Sequence, residues 1–292
     1  MSTAVVVPPL KSQGIKTHLV PYICLLEGCV GAERLVEPFF GTGVTAFNSP
    51  LKARVLANDL NPHTVSVYSS IKNGTLTSET VRNHLERESV LLKERGVAHY
   101  NEVRDRFNDS HDPHDYIFLS RAGFNGLVRF NRKGGYNVPF CNKNERFSSA
   151  YVTKICNQVA RVSEIIHSGD YEFTCEDFRN IISEAKETDL IYADPPYLGR
   201  SSDYYSEWGE SDETALLGLL KGTKARFVRS VWHHNDVREN PYLCMWKDFN
   251  IVTVDHYYHL GGELSNRRGM TEALIFNFEI PGSIKTAFKE GD

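Results

Sequence analysis

Arg34-Leu35-Val36-Glu37-Pro38-Phe39-Phe40-Gly41-Thr42-Gly43 is the stretch that decides the fold. Its apolar start reads as a short buried strand, Pro38 ends that strand, and the glycines allow a tight turn that is expected to open a helix. Downstream, Ala53-Arg54-Val55-Leu56-Ala57 reads as a second strand ending at Asn58-Asp59. Strand, Gly-rich loop, helix, strand and acid in that order make the first half of a nucleotide-binding α/β sheet. There the glycines let the backbone approach a bound molecule, and an acid after the second strand holds ribose hydroxyls. Each piece also has a plain reading: Glu37-x-Phe39-x-Gly41-x-Gly43 suits any tight turn, and Asn58-Asp59-Leu60-Asn61-Pro62 suits a turn cap. Upstream, Thr17 is placed to cap a helix through Leu19, Ile23, Leu25 and Leu26, with Pro21 in its first turn.

The chain returns to strand-like runs at Asp189 to Ala193, Ala225 to Val228, Asn250 to Val254 and Ala273 to Phe278. The first of these runs straight into Asp194-Pro195-Pro196-Tyr197. Two prolines stop the strand and stiffen a loop at the carboxyl edge of the sheet, where ligands bind in this class of fold. The pattern suits chemistry on an exocyclic amine such as that of adenine. The lone pair of that nitrogen is delocalised into the ring, so its protons must be accepted in hydrogen bonds before it can attack. The Asp194 carboxylate and the Pro195 carbonyl are suited to accept them, and Tyr197 offers a face on which an extruded base can stack. The plain alternative is an Asp-Pro-Pro turn after an edge strand.

Between the two groups of strands, from Gly43 to Asp194, the chain is far longer than an uninterrupted fold needs. The segment 66–149 is polar and helical, then rich in Gly, Asn, Arg and aromatic residues, and is expected to form an inserted domain, with 1–65 and 150–292 making up the α/β domain. The formal net charge is −4, so contact with nucleic acid must rest on a local patch. One candidate stands between Arg121 and Arg146, where Arg121, Arg129, Arg132, Lys133, Lys143 and Arg146 face Glu145 alone. A solvated loop is the usual meaning of such a run, but interleaved Phe124, Phe130, Tyr136 and Phe140 favour a loop that docks on DNA.

The six cysteines show no C-x-x-C pair and no framework spacing, which favours reduced thiols. His233-His234 and His256-x-x-His259 lack a third ligand at suitable spacing, so no metal is expected. With no apolar stretch long enough for a bilayer and no targeting segment at the start, the expectation is a cytoplasmic protein without membrane contact.

These motifs, in this order, resemble the Dam-like adenine methyltransferases of the alpha group, in which the cofactor loop precedes the recognition domain and the catalytic motif comes last. The resemblance runs from about Val7 to Phe278. Its longest strings are Pro8-Pro9-Leu10-Lys11-Ser12-Gln13-Gly14-Ile15-Lys16, Phe124-Asn125-Gly126-Leu127-Val128-Arg129-Phe130-Asn131 and Trp232-His233-His234-Asn235. It implies a class I methyltransferase domain of Rossmann-like α/β type with an inserted, mostly helical target-recognition domain. The activity implied is methyl transfer from S-adenosylmethionine, leaving S-adenosylhomocysteine, to the amino nitrogen of adenine in double-stranded DNA. A restriction endonuclease acting on the same site and a monomeric enzyme are the further expectations.

By the same resemblance, Lys16, Glu37, Pro38, Phe39, Gly41, Gly43, Asp59, Asp177, Phe178 and Asp194 would contact the cofactor, with Asp177-Phe178 beside its adenine. Asp194, Pro195, Pro196 and Tyr197 would carry the chemistry. Lys11, Leu127 and Arg129 would read bases, Phe124 would wedge into the stack, and Asn125 would approach the partner of the flipped adenine. Asn131, Arg132, Lys133 and Pro139 complete the expected DNA surface. Many relatives have an aromatic beside the cofactor where this chain has Ser12.

Rival readings differ in testable ways. Methylation of carbon 5 of cytosine needs a cysteine nucleophile, commonly after proline, and the chain has no Pro-Cys pair. An RNA adenine or guanine amino methyltransferase would share the amine chemistry, though the long middle segment argues for a DNA-reading insert. A non-catalytic DNA-binding regulator of the same fold would tolerate Asp194→Ala. The segment from Gly199 to Trp208 suits either a flap over the flipped base or an ordinary polar connector.

Overall fold

The computed structural model describes residues 4–198, 208–235, 237–259 and 267–290. Its centre is a sheet built from β1 (Arg34–Glu37), β2 (Arg54–Asn58), β3 (Asp170–Thr174), β4 (Asp189–Ala193), β5 (Arg226–Asn235), β6 (Asn250–His259), β7 (Arg267–Phe276) and a two-residue edge, β8 (Lys289–Glu290). The spatial order is β3-β2-β1-β4-β5-β7-β6-β8. The first five are parallel, and β7 runs antiparallel to both β5 and β6. The direction in which the sheet grows reverses between β1 and β4, so the carboxyl ends of these two neighbours flank the crevice where open α/β sheets take their ligands.

Leu35 and Val36 show how the strands work. Successive side chains point to opposite faces, so Leu35 joins one buried cluster with Phe47, Val55 and Tyr68, while Val36 joins a second with Ile191, Phe227 and Trp246. Both faces are therefore covered, which is why these strands are apolar throughout.

Helix α1 (Val20–Glu27) precedes the sheet, and α2 (Pro62–Lys72), α3 (Ser78–Arg95), α4 (Val97–Ser110), α5 (Pro113–Ala122) and α6 (Ser149–Ser168) stand between β2 and β3. Their starts carry the expected chemistry: Asn61 caps α2 and Asp112 caps α5, each ahead of a proline, and Thr77 with Thr80 forms a capping box on α3. α3 packs on α6, and α2 on α5. Leu85, Tyr100, Phe107 and Tyr116 of these helices belong to the same apolar cluster as Leu35 and Val55, so helices and sheet share one core. The division expected after residue 65 falls inside α2, and that at residue 150 falls in the first turn of α6. The shorter helices α7 (Phe178–Ser183) and α9 (Gly282–Lys285) and the longer α8 (Glu210–Gly222) complete the order. No helix among the described residues is long and apolar enough to cross a membrane.

Three local expectations need correction. The Gly-rich turn opens no regular helix: Phe47 N bonds Gly43 O, but Asn48 spends its amide on the carbonyls of Val44 and Val6, and Pro50 follows, so the chain stays in turns. Thr17 does not cap α1; Leu19 holds the cap position without a side-chain bond, and the Lys16 carbonyl receives the amides of Leu19 and Val20 instead. The strands β5, β6 and β7 outrun their apolar cores to ten residues each, because β6 and β7 pair as a long hairpin whose outer half is polar.

Candidate active site

One cleft of about 260 Å³ opens over the carboxyl ends of β1 and β4. Its wall brings together Lys16, Glu37, Pro38, Phe39, Gly41, Asp59, Asp177, Phe178 and Asp194 to Tyr197 from distant segments of the sequence. Lys11 lines it as well. Gly43 does not line it. That residue has φ +75°, and a Cβ there would lie 2.3 Å from Cζ of Phe40 and 2.6 Å from Phe47, so this glycine serves close packing behind the loop. Gly41, with φ +53°, has open space where a Cβ would stand.

The Asp194 carboxylate is held from two sides: Lys16 Nζ lies 3.0 Å from Oδ2, and Ser230 Oγ donates to Oδ1 at 2.7 Å. Tyr192, 3.0 Å from Ser230 Oγ, extends that chain below it. Burial raises the Asp194 carboxyl above its usual range, while Lys16 and Ser230 pull it down. Lys16 Nζ also stands 4.8 Å from the centre of the Tyr197 ring. The Tyr197 hydroxyl donates to Glu272 Oε1 at 2.9 Å, and His18 bonds the other oxygen of that carboxylate.

At the other end of the cleft, Asp59 accepts the amides of Gly41 at 2.6 Å and Asn61 at 2.8 Å, which ties the end of β2 to the Gly turn. Asn58, fully buried, joins Pro38 O to Glu176 through its amide and so fixes β1, β2 and the loop after β3 together. Phe39, Phe178 and Trp208 form a mutual aromatic cluster with centroids 5.2 to 5.4 Å apart. Asp177 caps α7 and pairs with Arg179. Glu37 is 1% exposed and its Oε1 has no hydrogen-bond partner among the described residues. Burial first, then Glu27 and Asp194, hold its carboxyl well above the usual range. A buried carboxyl oxygen without a hydrogen-bond partner is costly.

The recognition candidates lie beside this cleft. Phe124 is 47% exposed on a turn in which Asn125 and Gly126 both have positive φ. Leu127 packs against the core, and Arg129 donates to the side chain of Asn137 at 2.8 Å and to its carbonyl at 2.9 Å. The Asn131 side-chain oxygen accepts the amides of Lys133 and Gly135 and so closes its own turn; Arg132, Lys133 and Pro139 are exposed.

The basic run is smaller at the surface than its composition suggests. Arg121 is 6% exposed and bonds the carbonyls of Pro8 and Pro9 and the side chain of Gln158, while Arg146 bonds the Arg121 carbonyl and the Tyr151 hydroxyl. Tyr136 and Phe140 are core residues, not docking aromatics. A guanidinium can satisfy several internal carbonyls at once, which composition does not reveal.

Ser230, His18 and Glu272 stand outside every motif the sequence offers, while Asn58 enters only as the end of a strand or part of a turn cap and Trp208 only as the end of the segment from Gly199. Of the first three, only Glu272 left a signal, as an acid directly before the apolar run Ala273-Leu274-Ile275-Phe276 of a central strand. Of the segment Gly199 to Trp208, read as either flap or connector, residues 199–207 lie outside the described residues.

Five parallel strands closed by an antiparallel hairpin, with a ligand cleft at the switch point, define a class I methyltransferase of Rossmann-like α/β type. Residues 12–260 match the family described as D12 class N6 adenine-specific DNA methyltransferase, and the chain belongs to that family of enzymes. It is 27% identical over 248 residues to a DNA adenine methylase of Vibrio cholerae, covering 81% of this chain and 84% of that one. To the DNA adenine methylase of Escherichia coli K12 it is 31% identical over 178 residues, 58% of each. The type II methyltransferase M.FokI of Planomicrobium okeanokoites is 29% identical over 242 residues, 77% of this chain but only 36% of that protein.

Proposed function

We propose that the cleft takes S-adenosylmethionine and a flipped adenine together, and that Asp194, Pro195, Pro196 and Tyr197 present the amino nitrogen of that base for methylation. The observation that carries this reading is the single cleft that joins Asp194 to the Glu37, Asp59 and Phe39 wall. The residues suit the cofactor: Glu37 offers an unpartnered carboxyl oxygen that a positive guest would help to ionise, Asp59 faces ribose hydroxyls, Gly41 leaves room at the backbone, and Phe39, Phe178 and Asp177 enclose the adenine. When bound, S-adenosylmethionine supplies an electrophilic methyl group and leaves as S-adenosylhomocysteine.

The protein's own part is positioning and charge. The Asp194 carboxylate accepts one N–H of the amine and the Pro195 carbonyl the other, which draws the nitrogen toward a tetrahedral shape and frees its lone pair. Pro196 stiffens the loop, and Tyr197 stacks on the base. Lys16 offsets part of the rise that burial imposes on the Asp194 carboxyl and so favours its ionised form.

We assign base reading to Lys11 of the N-terminal strap and, in the insert, residues 66–149, to Leu127 and Arg129, with wedging by Phe124, approach to the orphaned partner base by Asn125, and backbone contact by Asn131, Arg132, Lys133 and Pro139. The strings around Lys11, Phe124 and His233 resemble the modification methyltransferase partnered with the EcoRV restriction enzyme. On that resemblance we propose GATATC as the target, a restriction endonuclease with the same site as genetic partner, and a monomer with a cleft complete in one chain.

The test is transfer of labelled methyl groups from S-adenosylmethionine to duplex DNA, tRNA and rRNA in parallel, with modified adenines mapped by sequencing. Labelled adenine in duplex DNA only, lost by at least about a thousandfold in Asp194→Ala with DNA binding retained, is the expected result. Labelled RNA, or full activity in the variant, would overturn it.

A further inference from the structure

Glu272 sits in the middle of β7, opposite Trp232 on β5 and Val254 on β6, and is 0% exposed. Strand stability does not ask for an acid there. An ionised carboxylate at such a depth is costly unless compensated, and an apolar side chain of similar volume would pack at lower cost. Its two oxygens are nonetheless fully engaged, one by His18 and the other by the Tyr197 hydroxyl. Burial would raise this carboxyl, yet the His18 bond and the nearby Lys16 hold it below its usual range, in keeping with an ionised acceptor.

Tyr197 is thereby fixed at two points, its hydroxyl on Glu272 and its ring face near Lys16. A hydroxyl that donates to a carboxylate leaves the ring richer in electrons, which strengthens its attraction for the Lys16 ammonium. We infer that Glu272 and His18 are a positioning pair for Tyr197, setting the plane against which the target base lies so that its amine meets Asp194. This rests on the proposed stacking role of Tyr197. Neither residue reaches the reacting atoms; both act through the tyrosine.

A double-mutant cycle tests it on the full chain. Single-turnover methylation of duplex DNA is measured at saturating cofactor for Glu272→Gln and His18→Gln, each in the wild-type and the Tyr197→Phe background. Tyr197→Phe keeps the ring and removes the donor. Glu272→Gln should slow transfer about tenfold in the wild-type background and less than about twofold in Tyr197→Phe, with cofactor affinity within about twofold of wild type. Equal loss in both backgrounds, or no loss, would overturn the inference. Should Glu272→Gln fail to fold, His18→Gln carries the same two outcomes, because the His18 side chain is partly exposed. Wild-type transfer and its loss in Asp194→Ala test the catalytic reading separately, so a failed cycle leaves that reading standing.

Discussion

Lys16 Nζ lies 3.0 Å from Asp194 Oδ2, the two side chains being 7% and 19% exposed. The contact joins a strap before the first strand to the loop after the fourth, and it pulls the carboxyl of the proposed catalytic acid down against the rise that burial causes.

Removal of that cation should alter the pH profile in a definite direction. Burial raises the Asp194 carboxyl, and Lys16 is the largest influence pulling it down. In Lys16→Met the carboxyl therefore holds its proton to higher pH, and a reaction that needs the ionised form loses rate earlier as pH falls. The acid limb of the kcat profile should move to higher pH. An unmoved limb would show that the ammonium does not tune Asp194.

The two glycines of the loop should respond differently. Gly43→Ala places a methyl group on Phe40 and Phe47 at a positive φ, and should destabilise the fold by about 2 to 4 kcal/mol. Gly41→Ala meets open space, so its cost should stay near the 1 kcal/mol or so of the backbone conformation, while the added methyl group narrows the cleft and weakens cofactor binding. Denaturant unfolding and calorimetric titration separate the two. Equal destabilisation would contradict the geometry.

Charge removal should divide the basic run by location. Arg132→Ala with Lys133→Ala should weaken binding to all duplex sequences and reduce the slope of log affinity against log salt by nearly 2, about 0.9 per phosphate contact. Arg121→Ala should instead lower thermal stability, because it strips two carbonyls and Gln158 of their partner inside the protein. A salt slope unchanged in the first variant would remove Arg132 and Lys133 from the DNA surface.

The strands and the loops at their carboxyl ends were legible because they obey local rules. The run Asp189 to Ala193 forms β4 with the bounds its apolar character suggests, and Asp194-Pro195-Pro196-Tyr197 follows it into the cleft. Where contacts between distant segments override local pattern, the reading lost definition. Arg121 looks like a surface cation, yet its fork is spent on Pro8 and Pro9 far away in sequence. Gly43 looks like the access point of a ligand loop, yet it accommodates two phenyl rings. Ser230 had no sequence mark at all, since only the register of β5 beside β4 brings it to Asp194.

The strap from Pro8 to Lys16 bears a consequence for engineering. Arg121 clasps its beginning, Lys11 packs over Gly126, the Gln13 amide bonds the Gly126 carbonyl, and Lys16 ends on Asp194. One nine-residue segment thus touches the turn expected to meet the bases through Lys11 and Gln13, and the acid expected to prepare the amine through Lys16. A chimera that transplants the insert between relatives without this strap would carry over a reader cut off from its catalyst, so the transferable unit is discontinuous in the gene and must include the N-terminal arm.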